Sequence, residues 1–160
     1  MRTSTLISAT AVAIALLPAG AARAGTTCTW GGTPAAPTGT TTQRPGITNT
    51  PSPVDMSFRA TGPLAGGAGC RGSFTFVGEM DAGSTCGFVT FHGRARGLPG
   101  VARFAGVSVG GFAPARLYDE DGNIVGSENA QFLTGADIAA CNTPEGMTGN
   151  HFSSVVTLTG

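Results

Sequence analysis

The hydrophobic period along this chain is two. Met56, Phe58 and Ala60 alternate with Asp55, Ser57 and Arg59, while Phe74, Phe76, Gly78 and Met80 alternate with Thr75 and Glu79, with Val77 breaking the second pattern. Successive side chains of an extended strand point to opposite faces, so this spacing builds walls with one face buried and one in water. Phe88-Val89-Thr90-Phe91 is short, β-branched and aromatic, as expected of a strand buried on both faces. The stretches 101–109, 112–118, 124–133 and 152–158 continue the series, and only 135–140 has room for a helical turn. The 26 glycines and 10 prolines supply the turns between these runs. The pattern predicts an all-β protein, a single antiparallel β-sandwich (Ig-like or barrel-like). The segment 33–42, rich in Thr, Pro and Ala, reads as a partly extended entry to it.

Residues 1–24 read as a leader and not as part of this fold. Arg2 supplies a positive start, an apolar run covers 6–17, Pro18 and Gly20 break it, and Ala22-Arg23-Ala24 places small residues where a signal peptidase cuts. The run is too short to span a bilayer as a helix. Cys28 is not preceded by a lipoprotein box, and neither a sortase motif nor a tail anchor follows. The expectation is therefore a cleaved signal peptide over 1–24 and one secreted, extracellular β-domain over 25–160.

That compartment is oxidising, so the four cysteines, Cys28, Cys70, Cys86 and Cys141, read as two disulfides. A zinc site would need a C-x-x-C pair or a histidine at ligand spacing, and the chain has neither. The turn Asp81-Ala82-Gly83-Ser84 should close a hairpin between 74–80 and 85–91, with Met80 opposite Thr85. Cys86 then lies at the turn and Cys70 roughly 30 Å away down the partner strand. A disulfide needs Cα atoms within about 7 Å, which excludes Cys70–Cys86 and, with it, Cys28–Cys141. If 38–44 pairs antiparallel with 54–61, Cys28 emerges where Cys70 lies, which favours Cys28–Cys70 and Cys86–Cys141. Each closes a loop worth roughly 4 kcal/mol in the chain-entropy model.

There is no lysine, and nine arginines balance nine acids. Zero formal charge without a basic run argues against nucleic acid and against an anionic membrane surface as partners.

Several motifs have chemical readings that fail on context. Gly67-Ala68-Gly69-Cys70-Arg71-Gly72 fits the dinucleotide fingerprint, but a strand follows where a helix would have to meet the pyrophosphate. Gly106-Val107-Ser108-Val109-Gly110 fits the nucleophile elbow, yet Ser108 lies inside a strand-like run; His92 or His151 would have to serve as its base. Asp119, Asp121 and Asn123 alternate like a calcium loop, but the glycine and the distal glutamate, Glu128, fall at the wrong positions, so an acidic hairpin tip between 112–118 and 124–133 is expected. Glu79 and Asp81 share a strand face, as the carboxylates of a glycosidase pair would, but they sit at a turn. The nine phenylalanines, Phe58, Phe74, Phe76, Phe88, Phe91, Phe104, Phe112, Phe132 and Phe152, all fall on predicted strands and read mainly as core.

The leader, Cys28 and Pro45-Gly46-Ile47-Thr48-Asn49-Thr50-Pro51-Ser52-Pro53-Val54 resemble the opening of small secreted actinobacterial four-cysteine β-rich proteins of unassigned function. Cys70, Cys86 and Cys141-Asn142-Thr143-Pro144-Glu145-Gly146, followed by a Thr-rich strand, continue the likeness. The resemblance implies a stapled β-domain and transfers no active site. A looser likeness, at fold level only, is to apoproteins of the neocarzinostatin type, which carry a chromophore in an apolar cleft.

The resulting expectation is a non-enzymatic exported β-domain, binding a protein or cell-surface partner of unknown identity, with no catalytic, metal or cofactor site. The alternative is a carrier of a small apolar ligand, suggested by the phenylalanines and the low charge. A small secreted hydrolase using Ser108 and His92, or a protease inhibitor presenting 62–69, ranks third.

Overall fold

The alternating runs become strands in the computed structural model, which describes residues 25–132 and 135–159. The expected signal peptide lies outside the described residues. In chain order the strands are β1 (Thr26–Trp30), β2 (Gly32–Thr33), β3 (Ala36–Pro37), β4 (Gly39–Ile47), β5 (Met56–Gly66), β6 (Ser73–Met80), β7 (Phe88–Arg96), β8 (Arg103–Val109), β9 (Phe112–Tyr118), β10 (Ile124–Phe132) and β11 (Met147–Leu158), with one short helix, α1 (Gly135–Ala140), before β11. Each strand from β4 to β11 pairs antiparallel with the next in sequence, and β11 pairs back onto β4. The result is a closed eight-strand antiparallel barrel with two disulfides. Closure leaves no free edge, so backbone donors and acceptors along the wall are paired.

The eighth strand is composite. β1 occupies one half of its length, between β11 and β5, and β4 occupies the other half between the same two neighbours. Between them the chain leaves the wall to form the β2–β3 hairpin. Gly31 and Gly32 turn it outward at φ of 74° and 85°, a region only glycine enters cheaply. The Gly31 carbonyl then accepts from the amides of Thr38 (2.8 Å) and Gly39 (3.0 Å), closing the excursion so that β4 resumes where β1 stopped.

Cys28 joins Cys70, and Cys86 joins Cys141, with sequence separations of 42 and 55. These are the favoured pairs, and the supporting register of β4 on β5 is present, from Thr40↔Thr61 to Arg44↔Ser57. The hairpin used in that reasoning differs: Met80 faces Phe91, not Thr85. The connection is a wider loop in which Asp81 donates its amide to Thr90 (2.9 Å) and Cys86 to Thr48 (2.8 Å). The exclusion of Cys70–Cys86 survives because the two cysteines still lie at opposite ends of β6, one disulfide at each end of the barrel.

The seven-residue strand β9 pairs with β10 as expected, Tyr118 facing Ile124 across the acidic turn. Two expectations about phenylalanine need correction. Val89 and Phe91 point inward, but Phe88 is 50% exposed, so β7 is not buried on both faces. Phe112 is also 49% exposed; Phe88 faces Val109, and Val109 faces Phe112, on the outer wall. Period two puts every second residue in water whatever its chemistry.

The interior is aromatic because glycine opposes ring. Gly78 and Gly93 face each other across β6 and β7. A Cβ on Gly93 would lie 2.9 Å from the Phe104 ring, and one on Gly106 would lie 2.7 Å from the Phe91 ring. Their absence admits those side chains. Phe76 and Phe104 stack at 3.9 Å, and Trp30 meets Phe74, Phe76 and Phe152 at 5.0, 4.7 and 4.5 Å.

Candidate functional site: a cavity inside the barrel

The two halves of the barrel interior are filled differently. At the Cys28–Cys70 end, Leu64, Phe74, Leu98, Val101, Phe104, Leu117 and Val156 are buried against one another. Towards the Cys86–Cys141 end the side chains leave a cavity of about 90 Å³. Its floor is Trp30 and Phe76; its walls include Phe58, Met80, Val89, Phe91 and Phe132, and Ile47, Cys86, Gly111 and Met147 surround its upper end. Half-buried Cys86, Ser108 and Phe132 bring it to the surface there.

Polar groups are set into this apolar wall. Thr41, Gln43, Ser108, Glu128 and Asn150 all line the cavity. On β4 and β11, the Thr41 hydroxyl donates to Asn150 Oδ1 and accepts from the Asn150 amide at 3.2 Å, while Gln43 Nε2 donates to the Met147 carbonyl at 2.8 Å. On β10, Glu128 is 2% exposed, and the Ser154 hydroxyl of β11 donates to its Oε1. Burial raises the Glu128 pKa from 4.5 to about 8, and the Ser154 hydrogen bond opposes that rise. The carboxyl is therefore mainly protonated at neutral pH.

No arginine of the described residues reaches it. Arg44, Arg59, Arg71, Arg94, Arg96, Arg103 and Arg116 are all exposed. Strand register gathers several of them on one outer face, with Arg94 directly opposite Arg103 and Arg59 one strand away across Val77. No basic run in the sequence announces that row, since it is assembled from separate strands.

The sequence-derived candidates fall elsewhere, apart from one. Ser108 faces Val89 and lines the cavity, but His92 and His151 are on the outer face, so the wall itself separates the serine from both imidazoles. His92 Nδ1 lies 3.1 Å from Asp81 Oδ1, and Glu79 faces His92 across β6 and β7. His151 lines a separate outer groove with Pro34, Pro37 and Phe112, of about 290 Å³. That groove is larger, but it lies outside the wall and collects no buried charge. Gly67 to Gly72 form the β5–β6 connection, with a strand following. At the acidic tip, Asp119 Oδ1 accepts from the Asn123 amide at 2.8 Å and Oδ2 from Asn123 Nδ2 at 2.9 Å. These bonds lower the Asp119 pKa and tie two of the calcium-like positions to each other. Among the described residues no three His, Cys, Asp or Glu side chains gather as a metal site, and no helix is long and apolar enough to cross a membrane.

Sequence reasoning missed Glu128 as a site residue, along with Gln43, Asn150 and Trp30. A signal existed for Glu128: it is in phase with Ala130 and Phe132, an acid on the buried side of a period-two run.

Fold and site together define a disulfide-stapled β-barrel with a polar-flecked internal cavity. No protein-family model matches the chain, and neither a curated protein nor a solved structure matches it.

Proposed function

We propose that this is an exported, non-enzymatic binding domain that holds a small, largely apolar ligand inside the barrel. One observation carries the reading: the cavity above Trp30, aromatic over most of its wall and marked by a few buried polar groups. An eight-strand barrel has an interior just wide enough to be filled by side chains or to hold one small ligand. Mostly apolar concavities with a few placed polar atoms are what small-molecule sites look like. The two disulfides suit an oxidising compartment, and the leader and the resemblance to secreted actinobacterial proteins point the same way.

Native mass spectrometry of the protein from its producer's culture fluid, paired with an NMR titration by benzene and tert-butanol, tests this. The expected result is added mass released on denaturation, or shifts converging on Trp30, Phe58, Phe91 and Phe132. A bare mass together with shifts scattered over the outer face would sink the reading and return the search to a macromolecular partner.

A further inference from the structure

We infer that the cavity selects a small primary ammonium ion with an apolar body, its charged end meeting Glu128 and its hydrocarbon lying against the aromatic wall. This rests on the proposed binding function and names its ligand class.

Glu128 is buried, with Ser154 as its one side-chain hydrogen-bond partner among the described residues. A buried acid is normally matched by a cation of the same chain or kept neutral. Here the chain has no lysine, and every arginine of the described residues is exposed. The neighbouring strands offer no other titrating group to the interior. β9 turns Ala113, Ala115 and Leu117 inward and leaves Arg116 outside; β11 turns Asn150, Phe152, Ser154 and Val156 inward and leaves His151 outside. On β10 itself, Glu128 is the only titratable side chain. A cationic ligand would supply the missing partner.

The other polar atoms of the wall point to the same class. Gln43 Nε2 is engaged by the Met147 carbonyl, and Asn150 Nδ2 is turned to the Met147 sulfur at 3.8 Å. The Thr41 hydroxyl already approaches Asn150 Oδ1 and, at 3.4 Å, Gln43 Oε1, but each of these oxygens has a second lone pair, and with ionised Glu128 that acceptor capacity suits a ligand rich in N–H donors. Aromatic side chains add a favourable environment for an organic cation. At about 90 Å³ the space admits a body of only a few carbons.

The ion pair requires Glu128 to give up its proton, so ammonium affinity is coupled to pH through the protein. The probes are tert-butylammonium chloride and its neutral look-alike tert-butanol, read by Trp30 fluorescence and NMR in the full chain. An alkylammonium, like a lysine side chain, stays protonated beyond pH 9. The expected result is ammonium affinity rising on the order of 100-fold between pH 6 and pH 9, with tert-butanol affinity flat. Glu128→Gln, close to the shape of the protonated acid, should remove the pH dependence and cost at least roughly tenfold at pH 9. Tighter binding of tert-butanol than of the ammonium at pH 9 overturns the inference and leaves the binding function standing. Unchanged ammonium affinity in Glu128→Gln also overturns it. If neither probe perturbs Trp30 or its neighbours at any pH, inference and binding function fall together. The wild-type pH profile decides the matter even if the variant folds poorly.

Discussion

At the Cys28–Cys70 end of the barrel, Phe74, Phe104, Leu117 and Val156 are 0–2% exposed and fill the interior. Towards the Cys86–Cys141 end the same wall, with the same closure by a disulfide, surrounds an unfilled space, whose lining includes a buried carboxyl, Glu128, directly opposite Val156 in the register of β10 on β11. The packed end gains dispersion and removes apolar area from water. The hollow end forgoes part of that gain, and the desolvation of Glu128 falls where the two regions meet. An ordinary core would be closed there by one larger apolar side chain. The difference teaches that close packing in this barrel is concentrated at one end, while the unfilled space runs from the level of Glu128 and Trp30 towards the other.

The disulfides offer the largest way to break that comparison. Their loops are similar in length, so the chain-entropy model assigns each about 4 kcal/mol. Replacing Cys28 and Cys70 by alanine, or Cys86 and Cys141, should therefore lower urea-melt stability by similar amounts, and removing both pairs should abolish folding. Ligand binding should separate them: loss of Cys86–Cys141, which borders the cavity, weakens it, while loss of Cys28–Cys70 does not. Equal damage to binding from both would erase the functional distinction between the ends.

Glu128 gives the next effect. Its pKa is raised from 4.5 to about 8 in the folded state, so the folded protein holds a proton that the unfolded chain has released across that window. The associated stability is fully present below about pH 4.5 and is lost as pH rises towards 8, at up to about 1.4 kcal/mol per unit and on the order of 5 kcal/mol in all. Denaturant melts across this range should show the decline in the wild type and its removal in Glu128→Gln. A decline that persists in the variant would mean that another group carries it.

Phenylalanine truncation sharpens the contrast most finely. Phe104→Ala at the packed end should cost about 3–5 kcal/mol, because its stacked and edge contacts cannot be remade around the void. Phe132→Ala, on the half-buried rim of the existing cavity, should cost roughly 2 kcal/mol less and widen the ligand space. Equal losses in thermal melts would show that the two ends are packed alike after all.

Most of the frame was legible in the order of residues. Alternation at Met56–Ala60 and Phe74–Met80 marked β5 and β6, and the acidic turn located the β9–β10 hairpin. Cysteine spacing with antiparallel pairing favoured Cys28–Cys70 and Cys86–Cys141, although Met80 pairs with Phe91 and not with Thr85. Such patterns are local, since strand period and turn chemistry act over a few residues. Phe88 and Phe112 were misplaced because hydrophobicity alone does not reveal which phase of a strand faces in when both phases carry apolar residues.

The cavity belongs to another level. Glu128 on β10, Ser154 and Asn150 on β11, Thr41 and Gln43 on β4 and Trp30 on β1 are scattered through the chain and meet only when β11 closes onto β4 and β1. The sequence by itself determined strands, turns and staples, because each depends largely on neighbours along the chain. Only the tertiary structure decided that the wall closes and that, among the described residues, the arginines stay outside it and one acid is shut within. Those outcomes depend on register between distant strands and on the space left when their side chains are packed together.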